Sequence, residues 1–287
     1  MEHVPVLLRE TLEYLAVKPD GVYLDTTAGL GGHTAAIAAR LTTGWVSAND
    51  QDGETLELAR GNTAQWAGRI RFHQGRFSEL KSTLRAQGVG RVDGLLADLG
   101  ASRFQLLDAE RGFSLSVDGP LDARMDRSRG MTAGDLINTR SEREIGDLLF
   151  RLAEERRARR IARAIVRARP ISSTLDLARV VEAVAPRTRR LHPATLTFLG
   201  LRRAVNREAE ELDALLELAP ELVASGGRMV VISFMSLEDR RVKECFRDLA
   251  RQGRAALLTR KVVRPSEDEV RSNAASRSGK LRALEMK

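Results

Sequence analysis

The chain has 287 residues, of which 43% are hydrophobic and 30% charged, with a formal net charge of +8. This length and composition predict a globular protein with a substantial core and exclude a disordered or fibrous chain. No apolar run approaches the roughly 18 residues of a membrane-spanning helix, so no membrane partner is predicted.

The basic residues are strongly biased towards arginine, which makes up 41 of the 47 lysines and arginines. Arginine binds phosphate through two parallel hydrogen bonds and stacks on bases, so the bias favours a nucleic-acid partner. Genome base composition can produce the same bias. The one cysteine, Cys245, cannot form an internal disulfide, and the N-terminus lacks the pattern of a signal peptide. Together these features predict a cytoplasmic protein.

The first predicted elements are a strand, a glycine-rich turn and a helix. The strand covers Val22–Asp25, the turn contains Gly29, Gly31 and Gly32, and the helix is predicted over 34–41. Glycine lets the backbone approach a ligand closely, and the first N–H groups of a helix are unpaired. The turn therefore indicates a nucleotide-like ligand.

A second predicted strand ends in Asp50, 19 positions after Gly31. At this spacing a carboxylate can bind ribose hydroxyls. The glycine pattern is G-x-G-G, and Asp25 before it suits a cationic ligand better than a pyrophosphate because like charges repel. S-adenosylmethionine carries sulfonium and ammonium groups. A class I methyltransferase is therefore favoured over a dinucleotide enzyme, and a turn without a ligand stays open as an alternative.

Strands and helices continue to alternate up to Asp98. Helices are predicted over 54–60 and 80–87, and strands over Ile70–Gln74 and Val92–Asp98. This order implies a parallel sheet that binds its ligand at the carboxyl ends of the strands.

The pattern changes after the fourth strand. Residues 104–131 resemble a loop, and residues 132–217 show helical periodicity without strands. Strand and helix patterns then return over 226–234, 238–252, 255–259 and 280–284.

This order predicts an α/β domain that is interrupted by a helical insertion. The α/β domain would comprise residues 1–103 and 218–287, and the insertion residues 104–217. One helix of the insertion is dense in arginine. It either binds RNA phosphates or is a solvated surface partly balanced by Glu154 and Glu155. The arginines are Arg151, Arg156, Arg157, Arg159, Arg160, Arg163, Arg167 and Arg169.

Several sequence blocks are more specific than the fold pattern. They lie at 3–8, 98–106, 110–114, 118–126, 192–195, 205–208 and 226–240. In this order, and over nearly the whole chain, they resemble the ribosomal RNA small subunit methyltransferase H family, also called MraW or RsmH. The resemblance implies a class I S-adenosylmethionine-dependent methyltransferase, with a Rossmann-like domain and an inserted all-helical domain that recognises the substrate.

The resemblance also implies a reaction and its partners. The reaction is methylation of N4 of a decoding-centre cytidine in 16S rRNA, position 1402 in the usual ribosomal numbering, within the small ribosomal subunit. No metal is implied, and a homodimer is an additional expectation. An assembled subunit, rather than naked RNA, is the expected substrate because the basic helical domain indicates an extended RNA surface.

The site residues follow from the same resemblance, although the turn, Asp50 and Asp98 are also indicated by the sequence pattern itself. Asp98 is the candidate catalytic residue, because a carboxylate or a neighbouring carbonyl there could accept a hydrogen bond from the cytosine amine. Arg111 and Phe113 are candidates for holding a target base that has left its stack, although Phe113 could equally be an ordinary anchor of its loop. The cofactor contacts would be Gly31, Gly32, His33, Asp50, Phe77, Asp98 and Gln105.

Some positions depart from the family pattern. Met235 stands where the family usually has histidine, and residues 273–278 read N-A-A-S-R-S instead of N-P-R-A-R-S. The alternatives are a divergent paralogue that methylates another RNA and a non-catalytic RNA-binding factor in ribosome assembly. A DNA or small-molecule methyltransferase is disfavoured, because Leu-Gly-Ala follows Asp98 where cytosine-N4 DNA enzymes carry a proline-rich motif.

Overall fold

The computed structural model describes residues 5–185 and 192–287, so part of the N-terminal block at 3–8 lies outside the described residues. The chain forms two compact units. The first comprises Met1–Gly100 and Glu211–Lys287, and the second comprises Ala101–Glu210. No helix in the described ranges has both the length and the apolar character to cross a membrane.

The first unit contains one seven-stranded sheet. Its strands are β1 Val22–Asp25, β2 Trp45–Asp50, β3 Ile70–Gln74, β4 Val92–Asp98, β5 Val223–Ser233, β6 Ala255–Leu257 and β7 Lys280–Met286. They are arranged in the order β3-β2-β1-β4-β5-β7-β6. Strands β1 to β5 are parallel, as expected, whereas β7 is antiparallel to both of its neighbours. The connection from β6 to β7 contains the helix α13 (Glu267–Ser272) and reverses the direction of the chain, as antiparallel neighbours require.

Thirteen helices lie in the described part of the chain. The first unit holds α1 to α4, most of α11, and α12 and α13, and the second holds α5 to α10 and the start of α11. Their bounds are α1 Leu8–Leu15, α2 Gly32–Ala38, α3 Gly53–Asn62, α4 Leu80–Ala86, α5 Arg103–Leu107, α6 Ala133–Thr139, α7 Glu142–Ala153, α8 Ala158–Arg167, α9 Thr174–Glu182, α10 Thr195–Val205, α11 Glu208–Leu222, α12 Ser236–Arg251 and α13 Glu267–Ser272.

The central strands are buried on both faces of the sheet. Because successive side chains of a strand point to opposite faces, neighbouring residues join different apolar clusters. Leu95 and Ala97 of β4 join one apolar cluster together with residues of α4, α11 and α12. Leu96, between them, joins the opposite cluster with residues of α1, α2 and α3. Because β1, β2 and β4 are parallel, their carboxyl ends bring Asp25, Asp50 and Asp98 to the same edge of the sheet.

The second unit has its own apolar core, formed by side chains of α6 to α10. The stretch predicted as a loop begins with the short helix α5 and then runs irregularly to α6. Asn206 fixes part of this stretch: its side chain accepts a hydrogen bond from the Met125 N–H (2.7 Å) and donates one to the Ala123 carbonyl (2.7 Å). A buried amide therefore orders a segment that has little regular structure.

Candidate active site

The glycine-rich turn between β1 and α2 requires glycine at two positions. Gly31 has φ of 88°, and a Cβ there would come within 2.7 Å of Thr63 Cγ2. A Cβ on Gly32 would come within 2.5 Å of Pro5 Cγ. Because L side chains rarely adopt such a φ and the neighbours leave no room, the turn keeps its backbone open at the start of α2.

Asp25 organises this turn from the inside. Its carboxylate is fully buried and accepts hydrogen bonds from the Thr27 N–H (3.1 Å) and the Thr34 hydroxyl (2.6 Å). Burial raises the pKa of Asp25 to about 6, although these hydrogen bonds act in the opposite direction. The sequence suggested a carboxylate directed at a cationic ligand. In the structure, both oxygens of Asp25 instead bind groups of the turn and of α2.

Asp50 connects the end of β2 to the same turn. Its two oxygens accept hydrogen bonds from the Gly29 N–H (2.9 Å) and the Asp52 N–H (3.0 Å). Burial raises the pKa of Asp50 to about 6. The carboxylate is thus held at the edge of the sheet, where a ribose is expected, and each oxygen retains a further lone pair for a ligand hydroxyl.

Asn49 is a site residue that the sequence patterns did not identify. Its amide donates hydrogen bonds to the Thr26 carbonyl (3.3 Å) and the Gly75 carbonyl (2.9 Å), and so joins segments that follow β1 and β3. Its Oδ1 atom is buried without a hydrogen-bond partner in the described chain. The only sequence signal was an amide next to the strand-ending acid.

Asp98 lies at the carboxyl end of β4, where its N–H donates to the Thr27 hydroxyl (2.7 Å). Its Oδ1 atom is buried and has no hydrogen-bond partner among the described residues. Burial, and then the nearby charge of Asp25, raise the pKa of Asp98 to about 8. The structure therefore places at this point a carboxyl group that binds a proton readily and has one unused oxygen.

His33 lies beside Asp98 at the start of α2. Its Nε2 is 3.1 Å from the Val6 carbonyl, an acceptor, so Nε2 carries a proton. Its Nδ1 then faces Asp98 Oδ2 at 3.7 Å. The imidazole thus connects the N-terminal segment to the carboxyl group.

Two further predicted contact residues lie on different units. Phe77 begins a short 3-10 turn after β3 and is half-buried against the core, so part of its ring stays accessible. Gln105 belongs to the second unit and is buried; its side chain accepts a hydrogen bond from the Ser102 N–H (2.8 Å) at the start of α5. Contacts of either side chain with a ligand stay predictions.

The structure corrects the expectation for Arg111 and favours the loop anchor for Phe113. Both side chains are buried, and Arg111 donates hydrogen bonds to the carbonyls of Arg124 (3.2 Å) and Met125 (3.0 Å). These residues anchor the loop instead of presenting a surface to a base. Cys245 is half-buried, and burial raises the pKa of its thiol, which disfavours the nucleophilic thiolate.

Met235, the departure from the family pattern, precedes α12. Its N–H donates to Glu238 Oε2 at 3.3 Å, so the backbone at this position takes part in the start of the helix. The thioether cannot carry a proton as an imidazole would. The helix start is therefore formed without the usual histidine.

The side chains at the carboxyl edge fit a cationic methyl donor. Asp25, Asp50 and Asp98, which we call the carboxylate set, all have raised pKa values because burial disfavours their charged forms. A positively charged ligand stabilises those forms. The open glycine turn and the unpartnered Oδ1 atoms of Asn49 and Asp98 leave polar groups for it to contact.

Comparison with known proteins identifies the family. The family model described as the MraW methylase family matches residues 1–287. A relative from Solibacter usitatus, called ribosomal RNA small subunit methyltransferase H, is 59% identical and aligned over 99% of this chain and 100% of its own. A relative of the same name from Acidobacterium capsulatum is 48% identical, with 99% and 98% covered.

A solved structure is similar in fold. It is a provisionally named rRNA methylase from Clostridium thermocellum, with a TM-score of 0.51, 13% identity and 100% of both chains covered. The predictions of a class I methyltransferase fold, of S-adenosylmethionine as the cofactor and of the family resemblance are confirmed. The chain is a methyltransferase and belongs to the MraW methylase family.

Proposed function

We propose that the protein methylates N4 of one cytidine in 16S rRNA, the decoding-centre residue at position 1402, within the small ribosomal subunit. The relatives' shared name supports an rRNA substrate of the small subunit. The observation that carries the chemistry is the buried Oδ1 atom of Asp98, which lacks a partner in the described chain. A cytosine amine offers the hydrogen-bond donor that this oxygen needs.

The first unit would hold the donor at the carboxyl edge of its sheet. When bound, S-adenosylmethionine supplies an electrophilic methyl group on a sulfonium sulfur. We assign Gly31, Gly32 and His33 to its contacts in the turn, and Asp50 to the ribose hydroxyls. Phe77 offers a partly exposed ring for the adenine, and Asp98 and Gln105 complete the proposed contacts.

Asp98 would orient the nucleophile. The lone pair of the cytosine amine is delocalised into the ring, so the amine is a weak nucleophile. A carboxylate that accepts a hydrogen bond from N4 fixes the direction of that lone pair, and positioning of this kind can lower a barrier by about 7–11 kcal/mol. N4 forms a bond to the methyl carbon, the carbon–sulfur bond breaks with its electrons passing to sulfur, and N4 loses one proton.

The raised pKa of Asp98 suits this last step. A carboxylate whose pKa is about 8 accepts a proton more readily than an ordinary aspartate does. The cationic donor would lower that pKa and so keep the carboxylate charged until the methyl group has been transferred. If protonated at Nδ1, which lies 3.7 Å from Asp98 Oδ2, the His33 imidazolium would hold the carboxylate in place.

The helical unit would recognise the RNA, in keeping with the predicted insertion at 104–217. We further propose that the protein acts on assembled small subunits in the cytoplasm. Efficient methylation of a short naked hairpin would contradict the need for an assembled particle. Self-association as a homodimer stays a prediction, which light scattering tests.

The experiment is methyl transfer from radiolabelled S-adenosylmethionine to small ribosomal subunits that lack the modification, followed by mass spectrometry of the nucleosides. We expect N4-methylcytidine at the decoding centre. Asp98→Asn should lower kcat by about 10²–10⁴-fold, because the amide cannot take up the proton. Asp93→Asn is the matched control, since Asp93 lies on the same strand about 16 Å away.

Two results would overturn the proposal in different ways. Donor binding without transfer to these subunits would indicate a paralogue with another RNA target or a non-catalytic RNA-binding factor. Near-normal turnover of Asp98→Asn, with normal donor affinity, would remove Asp98 from the mechanism while leaving the substrate assignment intact.

A further inference from the structure

Helix α8 exposes a row of arginines. At about 100° per residue, four arginines fall within about 100° of the helix circumference, opposite the apolar residues that α8 buries in the core of the second unit. The row extends over about 12 Å, and arginines four residues apart are about 6 Å apart along the axis. Its members, which we call the α8 arginine row, are Arg159, Arg160, Arg163 and Arg167.

Most of this charge is not neutralised by the protein. Arg163 forms an ion pair with Glu142 of α7 at 3.3 Å. Within the described ranges, Arg159, Arg160 and Arg167 form neither a hydrogen bond nor an ion pair through their side chains. The sequence of α8 contains no acidic residue.

Glu154 and Glu155, which were expected to balance part of the arginine charge, do not form ion pairs with the row in the described structure. Glu155 is buried and accepts a hydrogen bond from the Arg157 N–H (2.8 Å), and in the described structure Glu154 forms no ion pair. Arg169, in contrast, is half-buried and donates to the Ile137 carbonyl (2.6 Å). Of the predicted cluster of eight arginines, Arg169 is therefore a structural residue and four form the exposed row. The other three are also exposed but lie before α8; they are Arg151, Arg156 and Arg157.

The adjacent helix α7 shows a different arrangement. Two exposed arginines at its start have acidic partners one turn further along: Arg140 pairs with Glu144 (3.2 Å) and Arg143 with Asp147 (3.8 Å). Like charges four residues apart destabilise a helix, whereas such opposite-charge pairs stabilise it. The α8 row thus opposes helix stability, which indicates that its charges serve an external polyanion.

We propose that the α8 arginine row is a docking surface for the sugar-phosphate backbone of the RNA substrate, an inference that rests on the proposed function. The exposed face carries no large apolar side chain, which a membrane-surface helix would need to insert. Arginine binds phosphate through two parallel hydrogen bonds, and several residues in one row can contact successive phosphates.

The test compares two triple variants of the full chain. In the first, Arg159→Gln, Arg160→Gln and Arg167→Gln remove the unpaired charges and leave the Arg163–Glu142 pair intact. In the second, the matched control, Arg140→Gln, Arg143→Gln and Arg179→Gln remove three exposed arginines that have acidic partners. Steady-state methylation of small subunits is measured at several salt concentrations, together with donor affinity and binding of naked 16S rRNA.

For the α8 variant we expect KM for subunits to rise about 10–100-fold, because phosphate contacts supply much of the affinity, while kcat and donor affinity stay unchanged. The slope of log K for rRNA binding against log salt should fall by about 2, because each lost phosphate contact removes about 0.7–0.9. The control variant should behave like the wild type. Unchanged KM and salt slope in the α8 variant would overturn the inference.

Two other outcomes would also count against it. If the α8 variant loses binding only to anionic phospholipid vesicles, the surface is a membrane contact. If it loses subunit binding but binds naked 16S rRNA as tightly as the wild type does, the partner is a ribosomal protein. A wild type that binds rRNA through this row but transfers no methyl group would support the docking surface and contradict the proposed function.

Discussion

The carboxylate set and the α8 arginine row are two groups of like charges that differ in their exposure to solvent. The three carboxylates lie at the edge of the sheet, and burial raises all of their pKa values. The arginines of the row are exposed. Burial therefore makes the charge of the first group responsive to a ligand, whereas exposure leaves the interactions of the second group open to screening by salt.

The largest expected effect is on stability, and it compares a buried arginine with the exposed arginines of the α8 arginine row. Arg111→Met should lower the free energy of unfolding by about 3–5 kcal/mol, because it removes the hydrogen bonds to the carbonyls of Arg124 and Met125 inside the second unit. Urea denaturation measures the change. The triple α8 variant is the control and should change stability by less than about 0.5 kcal/mol. Equal effects of the two variants would contradict the distinction between buried and exposed charge.

The second effect is the pH dependence of stability without the donor. The pKa of Asp98 is about 8 in the folded protein and 3.8 as its reference value, so the folded state holds the proton more tightly. Its contribution to stability is fully present below the reference pKa and is lost as pH rises through about 8. Relative to Asp98→Asn, the wild type should therefore lose about 3–4 kcal/mol between pH 5 and pH 8, measured by denaturation at each pH. Parallel curves would show that Asp98 titrates normally.

The third effect links the donor to the same carboxyl group. A cationic donor stabilises the charged form of Asp98, so binding should release a proton, and affinity should rise about tenfold from pH 6.5 to pH 8. Calorimetry in buffers of different ionisation enthalpy measures the released proton directly. Asp98→Asn should lose this dependence, and Asp93→Asn should retain it. Proton uptake on binding would contradict the proposed electrostatics.

The smallest effect concerns the inside of the glycine turn. Thr34→Val removes the hydroxyl that donates to Asp25 at 2.6 Å and should lower stability by about 1–2 kcal/mol. It should also raise the pKa of Asp25 further, since that hydrogen bond favours the charged carboxylate. Thr34→Ser, which keeps the hydroxyl, should restore most of the loss in thermal denaturation. Failure of the serine variant to do so would assign the effect to packing of the methyl group.

The sequence predicts the position of those site residues that the order of strands along the chain determines. Carboxyl ends of parallel strands meet at one edge, so Asp50 and Asp98 could be placed together before any contact was known. The inward orientation of Asp25 and the bridging role of Asn49 could not, because they depend on groups contributed by other segments. Arg111 was misjudged for the same reason, since tertiary packing decides whether a loop residue is buried.

The direction of β7 and the charge balance of α8 were also difficult to predict from the sequence. The antiparallel direction of β7 depends on which strand edges are still open when it pairs, and periodicity carries no such information. The arginine cluster was evident in the sequence. The separation of Arg169, a structural residue, from the exposed row required knowledge of the contacts that Arg169 makes.

The position of β7 has a consequence for how the sheet is made during synthesis. Strand β6 is translated before β7 but pairs with β7 alone among the named strands, and β7 also covers the free edge of β5. Until β7 leaves the ribosome, β5 presents an open edge and β6 has no partner, a condition that favours pairing between nascent chains. Completion of this sheet therefore waits for β7, and chaperone protection would matter most in the interval before β7 pairs.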